Sequence, residues 1–125
     1  MSRYDCFAGR VRYHHQKRVL ADKQAVSLAR AEARKRPRDV YWQWTVANCV
    51  SSLADYAGGR LTYQQNQEVI AEYKKTLQML PAGHPYRRRI VETLVRLDLN
   101  FDDNGNPVKW NLKMLREALK NTTLR

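Results

Sequence analysis

The sequence predicts an all-α fold: one compact bundle of four to five helices in a helical-hairpin arrangement, with a small β-hairpin competing near residues 100–110. Three observations lead there. Apolar residues recur at three- and four-residue steps through most of the chain, the period of a helix face. Capping residues and prolines break that pattern at short intervals, at Asp22, Pro37, Asp39, Thr62, Pro81, Pro85 and Asn111. A chain of 125 residues supports a single core and therefore a single domain, 1–125.

Residues 1–20 are read two ways. Ser2-Arg3-Tyr4-Asp5 fits a capping box that starts a helix at Arg3, while Gly9 weakens it. Val11-Arg12-Tyr13 alternates apolar and charged, so a short strand or an extended basic arm competes. Asp22 then reads as the N-cap of a helix running to about Arg36, with Ala25, Leu28, Ala29 and Ala33 as a narrow apolar stripe. Arg34, Lys35 and Arg36 favour its C-terminal end, and Pro37 stops it.

The stretch 39–57, DVYWQWTVANCVSSLADYA, is the most apolar of the chain and is expected to be its central helix. Asp39 caps it, Gly58-Gly59 closes it, and it pairs antiparallel with the preceding helix through a tight turn. Trp42, Val46, Cys49, Val50, Leu53 and Ala57 share one face, with Tyr41, Thr45, Asn48 and Ser52 opposite. Thr62 and Gln65 form the next capping box, and Val69, Ile70, Tyr73, Leu77 and Leu80 carry that helix to Pro81. His84-Pro85 opens another, with Pro85 at its first position and Tyr86, Ile90, Leu94 and Leu97 facing inward. Asp103 to Asn106, between Phe101 and Val108, is a turn able to close the small hairpin. Asn111 caps a last helix holding Leu112, Leu115 and Leu119, and 121–125 is a frayed tail. Helix pairs of this length resemble tetratricopeptide hairpins, and Pro81 after Tyr73 and Leu77 is similar. The aromatic and small positions do not repeat at the roughly 34-residue period, so the resemblance is one of architecture.

The charge is lopsided. Lys and Arg number 23 against 12 Asp and Glu, a net +11. Residues 1–38 hold eleven of the cations and three acids, or 11 − 3 = +8, whereas residues 39–57 carry −2. Such asymmetry is a footprint of polyanion binding. Tyr4, Phe7, Tyr13, His14 and His15 are interleaved with these cations, as suits exposed bases. The expected function is therefore a non-catalytic module that binds nucleic acid, DNA or RNA, through its N-terminal third. Arg10, Arg12, Lys17, Arg18, Arg30 and Arg34 would hold phosphates, and Tyr13 would stack. Arg87, Arg88 and Arg89 form a second cluster for an anion or a partner. The alternative is a protein-interaction module, an adaptor or inhibitor docking on an acidic surface of a partner such as a nucleic-acid-processing enzyme.

Other chemistry finds little support. Cys6, Cys49, His14, His15 and His84 match no metal-ligand spacing. Asn100 to Asn111 imitates a calcium loop but has Asn111 where a bidentate Glu is needed. A helix-turn-helix centred on Gly58 would bury Gly59, Gln64 and Gln67. Glu68 and Glu72, four residues apart, read as a solvated face, and Cys49 as a core residue rather than a nucleophile. No cofactor, metal or small-molecule substrate is expected. Two scattered cysteines and the lack of an early apolar run suggest a cytoplasmic protein with no membrane partner.

Overall fold

Five helices are found among the described residues, and each packs on the one before it in the chain: α1 (Ala8–Lys35), α2 (Val40–Gly58), α3 (Tyr63–Met79), α4 (Arg87–Leu99) and α5 (Leu112–Lys120). This computed structural model describes residues 8–58 and 61–122; for 8–19 and 55–58 it describes the backbone alone. The all-helical bundle expected from the sequence is therefore present, and none of its helices is long and apolar enough to cross a membrane.

The first helix is longer than its sequence suggests. Asp22 lies inside α1 rather than capping a new helix, and residues 8–21 are helical rather than strand. No proline interrupts Ala8 to Lys35, and the segment is rich in Ala, Arg, Lys and Gln, which all favour helix. Gly9 is accommodated within the helix. The Ser2-Asp5 capping box falls outside the described residues.

After Lys35 the chain turns on Asp39 N–H to Arg36 O, and Asp39 then caps α2 by accepting the Tyr41 N–H at 3.0 Å. α2 ends at Gly58. The helix buries two stripes rather than one. Ala47 and Ala54, with Val40, Trp44 and Val50 beside them, join the core made with Val69, Ile70 and Tyr73 of α3 and Ile90 and Leu97 of α4. Val46 is also buried, on the stripe it shares with the half-buried Trp42, Cys49 and Leu53. Sandwiching between α1 and α3 explains why so little of α2 is polar.

α3 starts at the expected capping box: Thr62 Oγ1 accepts the Gln65 N–H at 3.1 Å and Gln65 Oε1 accepts the Thr62 N–H at 2.9 Å. α4 starts later than expected. Pro85 lies in a turn before it, closed by Tyr86 N–H to His84 Nδ1 and Arg87 N–H to His84 O. Tyr86 is thus the N-cap and is half exposed instead of facing inward, while Ile90 and Leu97 are buried as expected.

The hairpin near residues 100–110 does not form. The described residues contain no strand, only a single antiparallel bridge between Phe101 and Pro107. Two backbone bonds flank it, Asp102 N–H to Asn106 O and Val108 N–H to Asn100 O, and the pairing is no longer than that. Asp102 Oδ1 instead takes the N–H groups of Asn104 and Asn106, making a side-chain-closed turn with Gly105 at φ +79° against the Tyr63 ring. The loop is tied to the core by a polar chain: Trp110 Nε1 donates to Asn100 Oδ1, Asn100 Nδ2 to Asn66 Oδ1, and the buried Asn66 Nδ2 to Leu97 O. Asn111 caps α5, of which Leu115 is buried and Leu112 exposed. At the C-terminal end Thr122 Oγ1 donates to Ala118 O; the rest of the expected frayed tail, 123–125, lies outside the described residues.

Glu72 joins three helices and is not the solvated residue its spacing from Glu68 suggests. It is 6% exposed, and its Oε2 lies 2.7 Å from Arg30 Nη2 of α1. Gln43 Nε2 of α2 donates to its Oε1 at 3.3 Å and its backbone carbonyl at 3.2 Å, and Lys75 Nζ lies 3.7 Å away. A buried carboxylate that loses its cation is left uncompensated. Arg30 is partly exposed, so water screens some of that cost. Replacing Arg30 with Ala is expected to lower stability by about 1–2 kcal/mol rather than the full ~3–5 kcal/mol of a dry pair. A lower urea midpoint at unchanged slope would show it; an unchanged midpoint would mean that Gln43 and Lys75 suffice.

Candidate functional site

The cations of α1 divide by what they touch. Arg30 is paired with Glu72, so part of its charge serves the fold, while its side chain remains 43% exposed. Lys35 and Arg36 lie 3.5 and 3.7 Å from the two oxygens of Glu32, exposed pairs worth little. Arg34 is exposed and pairs with no carboxylate among the described residues. Arg10, Arg12, Tyr13, Lys17 and Arg18 all lie within α1, although their side chains are outside the described set. The helical backbone itself orders them, since Arg10, Tyr13 and Lys17 are separated by three and four residues and so share one helical face.

α1 outruns its partner. It has 28 residues against 19 in α2, and the tight turn joins their near ends. About nine residues, ~13 Å of helix, therefore lie beyond the length that α2 can cover. That is the part of α1 carrying Arg10 and Arg12. From Ala8 to Ala21 the helix holds four Lys and Arg and no acid.

Arg87, Arg88 and Arg89 do not converge. Arg87 turns back onto α3, where Nη1 donates to Leu77 O at 3.0 Å and Leu80 O at 2.9 Å. The last carbonyls of a helix lack intrahelical partners and carry its negative dipole end, so a guanidinium satisfies both. Arg88 is exposed. Arg89 points toward α2 and lies 5.9 Å from the Trp44 ring centroid, in cation–π range.

Arg89 thereby becomes part of a groove. α2 and α4 both pack on α3, with their backbones held apart and side chains such as Trp44 and Arg89 meeting between them. Between them is a hollow of about 280 Å³ walled by Trp44 and Asn48 of α2, Tyr73 of α3, and Arg89, Thr93 and Arg96 of α4. A second hollow of about 430 Å³ shares Trp44, Asn48 and Arg89 and continues past Tyr41, His84 and Tyr86. The rings are in contact: Trp44 and Tyr86 have centroids 5.0 Å apart at 56°, and His84 lies 5.2 Å from Tyr86. Tyr73 Oη donates to Asn48 Oδ1 at 2.6 Å, which fixes that amide and leaves its N–H₂ end with donors to offer. Nothing in linear spacing announces this groove. Trp44 and Arg89 are 45 residues apart, and only the Arg87–Arg89 run drew attention to its far wall.

Among the described residues no cluster of His, Cys, Asp and Glu is arranged to hold a metal ion. Cys49 is half buried beside α1, and its burial, together with the charge of Asp22, pushes the thiol above its ordinary pKa. The reactive thiolate is therefore scarcer than in an open thiol at neutral pH. No protein-family model, curated protein or solved structure matches the chain.

With Cys6→Ser in place, Cys49 is expected to be alkylated more slowly in the folded protein than in urea at the same neutral pH, with the folded rate rising only toward alkaline pH. Mass spectrometry of the alkylated fraction over time checks this; equal rates would mean an open, unperturbed thiol.

Proposed function

We propose that the chain is a non-catalytic nucleic-acid-binding module in which the N-terminal part of α1 lies along the phosphate backbone. One observation carries the reading: four cations and no acid occupy 8–21 of a single continuous helix that extends beyond its antiparallel partner. A straight helix holds charges at fixed spacing, and each phosphate it neutralises releases condensed counterions. Arg10, Arg12, Lys17 and Arg18 supply that charge, Tyr13 lies among them, and Arg34 extends the basic surface toward the turn. Contacts of this kind give affinity and register rather than sequence recognition. Arg30 contributes less charge to it, being paired with Glu72.

A second reading rests on a different feature of the same helix. Leu20 and Leu28 are 61% and 69% exposed, and Leu28 borders a shallow hollow with Lys23, Gln24 and Ser27. Apolar side chains flanked by cations suit an acidic protein partner, as an adaptor or inhibitor would use. Co-purification separates the two: partners that persist after nuclease treatment support the protein reading, and partners that vanish support nucleic acid.

Four phosphate contacts imply that affinity for duplex DNA falls roughly a hundredfold between about 50 mM and about 200 mM salt. Replacing Arg10, Arg12, Lys17 and Arg18 together with Gln is expected to flatten that dependence nearly completely. Fluorescence anisotropy over a salt series measures both. An unchanged slope in the variant, or no binding by the unaltered protein at low salt, would falsify the assignment.

A further inference from the structure

We propose that the groove between α2 and α4 is a separate binding site for an unpaired base and its phosphate, presented by single-stranded nucleic acid. The proposal rests on the nucleic-acid reading of α1 only in that both surfaces meet one strand. The argument for the groove is its own.

Its walls pair flat π surfaces with cations. Tyr41 and Tyr86 are 62% and 47% exposed although each contacts another ring, Trp42 at 5.2 Å and Trp44 at 5.0 Å. Aromatic residues held by their neighbours yet open to solvent lose little entropy when a further ring stacks on them. Arg89 is already positioned over Trp44, and a guanidinium so placed is able to stack on a base or take a phosphate oxygen. Arg96, half exposed, lies 3.7 Å from Glu92, so the lining holds two cations and one carboxylate, 2 − 1 = +1. The donors of Asn48 Nδ2 suit the acceptors on a base edge.

The same lining argues against other occupants. An apolar helix laid across the groove would strip water from Arg89, Arg96 and Asn48 without replacing their hydrogen bonds. A duplex keeps its base faces stacked inside and has none to offer Tyr41 or Tyr86. Sequence-tolerant stacking between cations is the usual way of holding exposed bases.

The test compares four probes by anisotropy competition: a single-stranded oligonucleotide, its abasic counterpart with the same phosphates, adenosine monophosphate, and an Asp-rich peptide containing Tyr. Tyr41→Ala with Tyr86→Ala, and separately Arg89→Gln, alter the groove at exposed positions, and an unchanged circular dichroism melt verifies folding. The base-bearing strand is expected to bind about tenfold or more tighter than the abasic one, and the Tyr variant to erase that difference while keeping the salt slope. Equal binding of the two strands would overturn the proposal, as would displacement of the strand by the peptide. Adenosine monophosphate binding as tightly as the strand would reassign the groove to a small nucleotide and overturn it equally. Binding that responds to the α1 cations but not to Tyr41, Tyr86 or Arg89 removes the groove alone; the reverse pattern removes α1 alone.

Discussion

The buried carboxylate of Glu72 is the constraint on which the arrangement turns. Among the described residues the backbones of α1 and α3 do not approach closely, and the two helices are linked by the Arg30–Glu72 pair. Gln43 of α2, between them, donates to the same residue twice, at the carboxylate and at the carbonyl. One acid thereby sets the register of three helices. Apolar packing of small residues such as Ala29, Ala47 and Ala54 brings the helices close but specifies their relative slide poorly, because small side chains interdigitate little. A charge pair at 2.7 Å is far less tolerant of a shift.

That register decides which cations remain for a partner. Arg30 is held against Glu72 and Arg87 against the C-terminus of α3, while Lys35 and Arg36 share Glu32. Arg34 and Arg88 are exposed, Arg89 lies against Trp44 at the groove, and residues 8–21 of α1 carry four Lys and Arg without an acid in their sequence. The C-terminal side of the chain is organised differently. There the Asn66–Asn100–Trp110 hydrogen-bond chain ties the 100–110 loop to α3 and α4, and its groups are satisfied within the protein.

Much of the fold was legible because it follows from local rules. Thr62 with Gln65, Asp39 and Asn111 each cap the helix they were expected to cap, and Pro81 follows directly on Leu80 at the end of α3. The misses have physical causes. Asp22 looked like a cap because Asp favours that position, but nothing upstream breaks the helix it sits in. Asn104-Gly105 looked like a hairpin turn, but the Asp102 side chain takes the N–H groups of Asn104 and Asn106, and the pairing stops at the single Phe101–Pro107 bridge. Tyr86 looked inward because it continues the period of Ile90 and Leu97, yet it precedes the first turn of α4. The candidate sites were half legible. Charge excess is a property of composition and survives folding, whereas the groove depends on α2 and α4 flanking α3, which no linear pattern encodes.

Mapping where a strand lies on the protein tests this division of surfaces most directly. A single-stranded oligonucleotide carrying photoreactive bases, cross-linked to the whole chain and read by peptide mass spectrometry, should mark the α1 peptides around residues 8–21 and the groove peptides containing Tyr41 and Tyr86. Cross-links concentrated instead on α5 and the 100–110 loop, or spread evenly over all exposed lysines and aromatics, would contradict it.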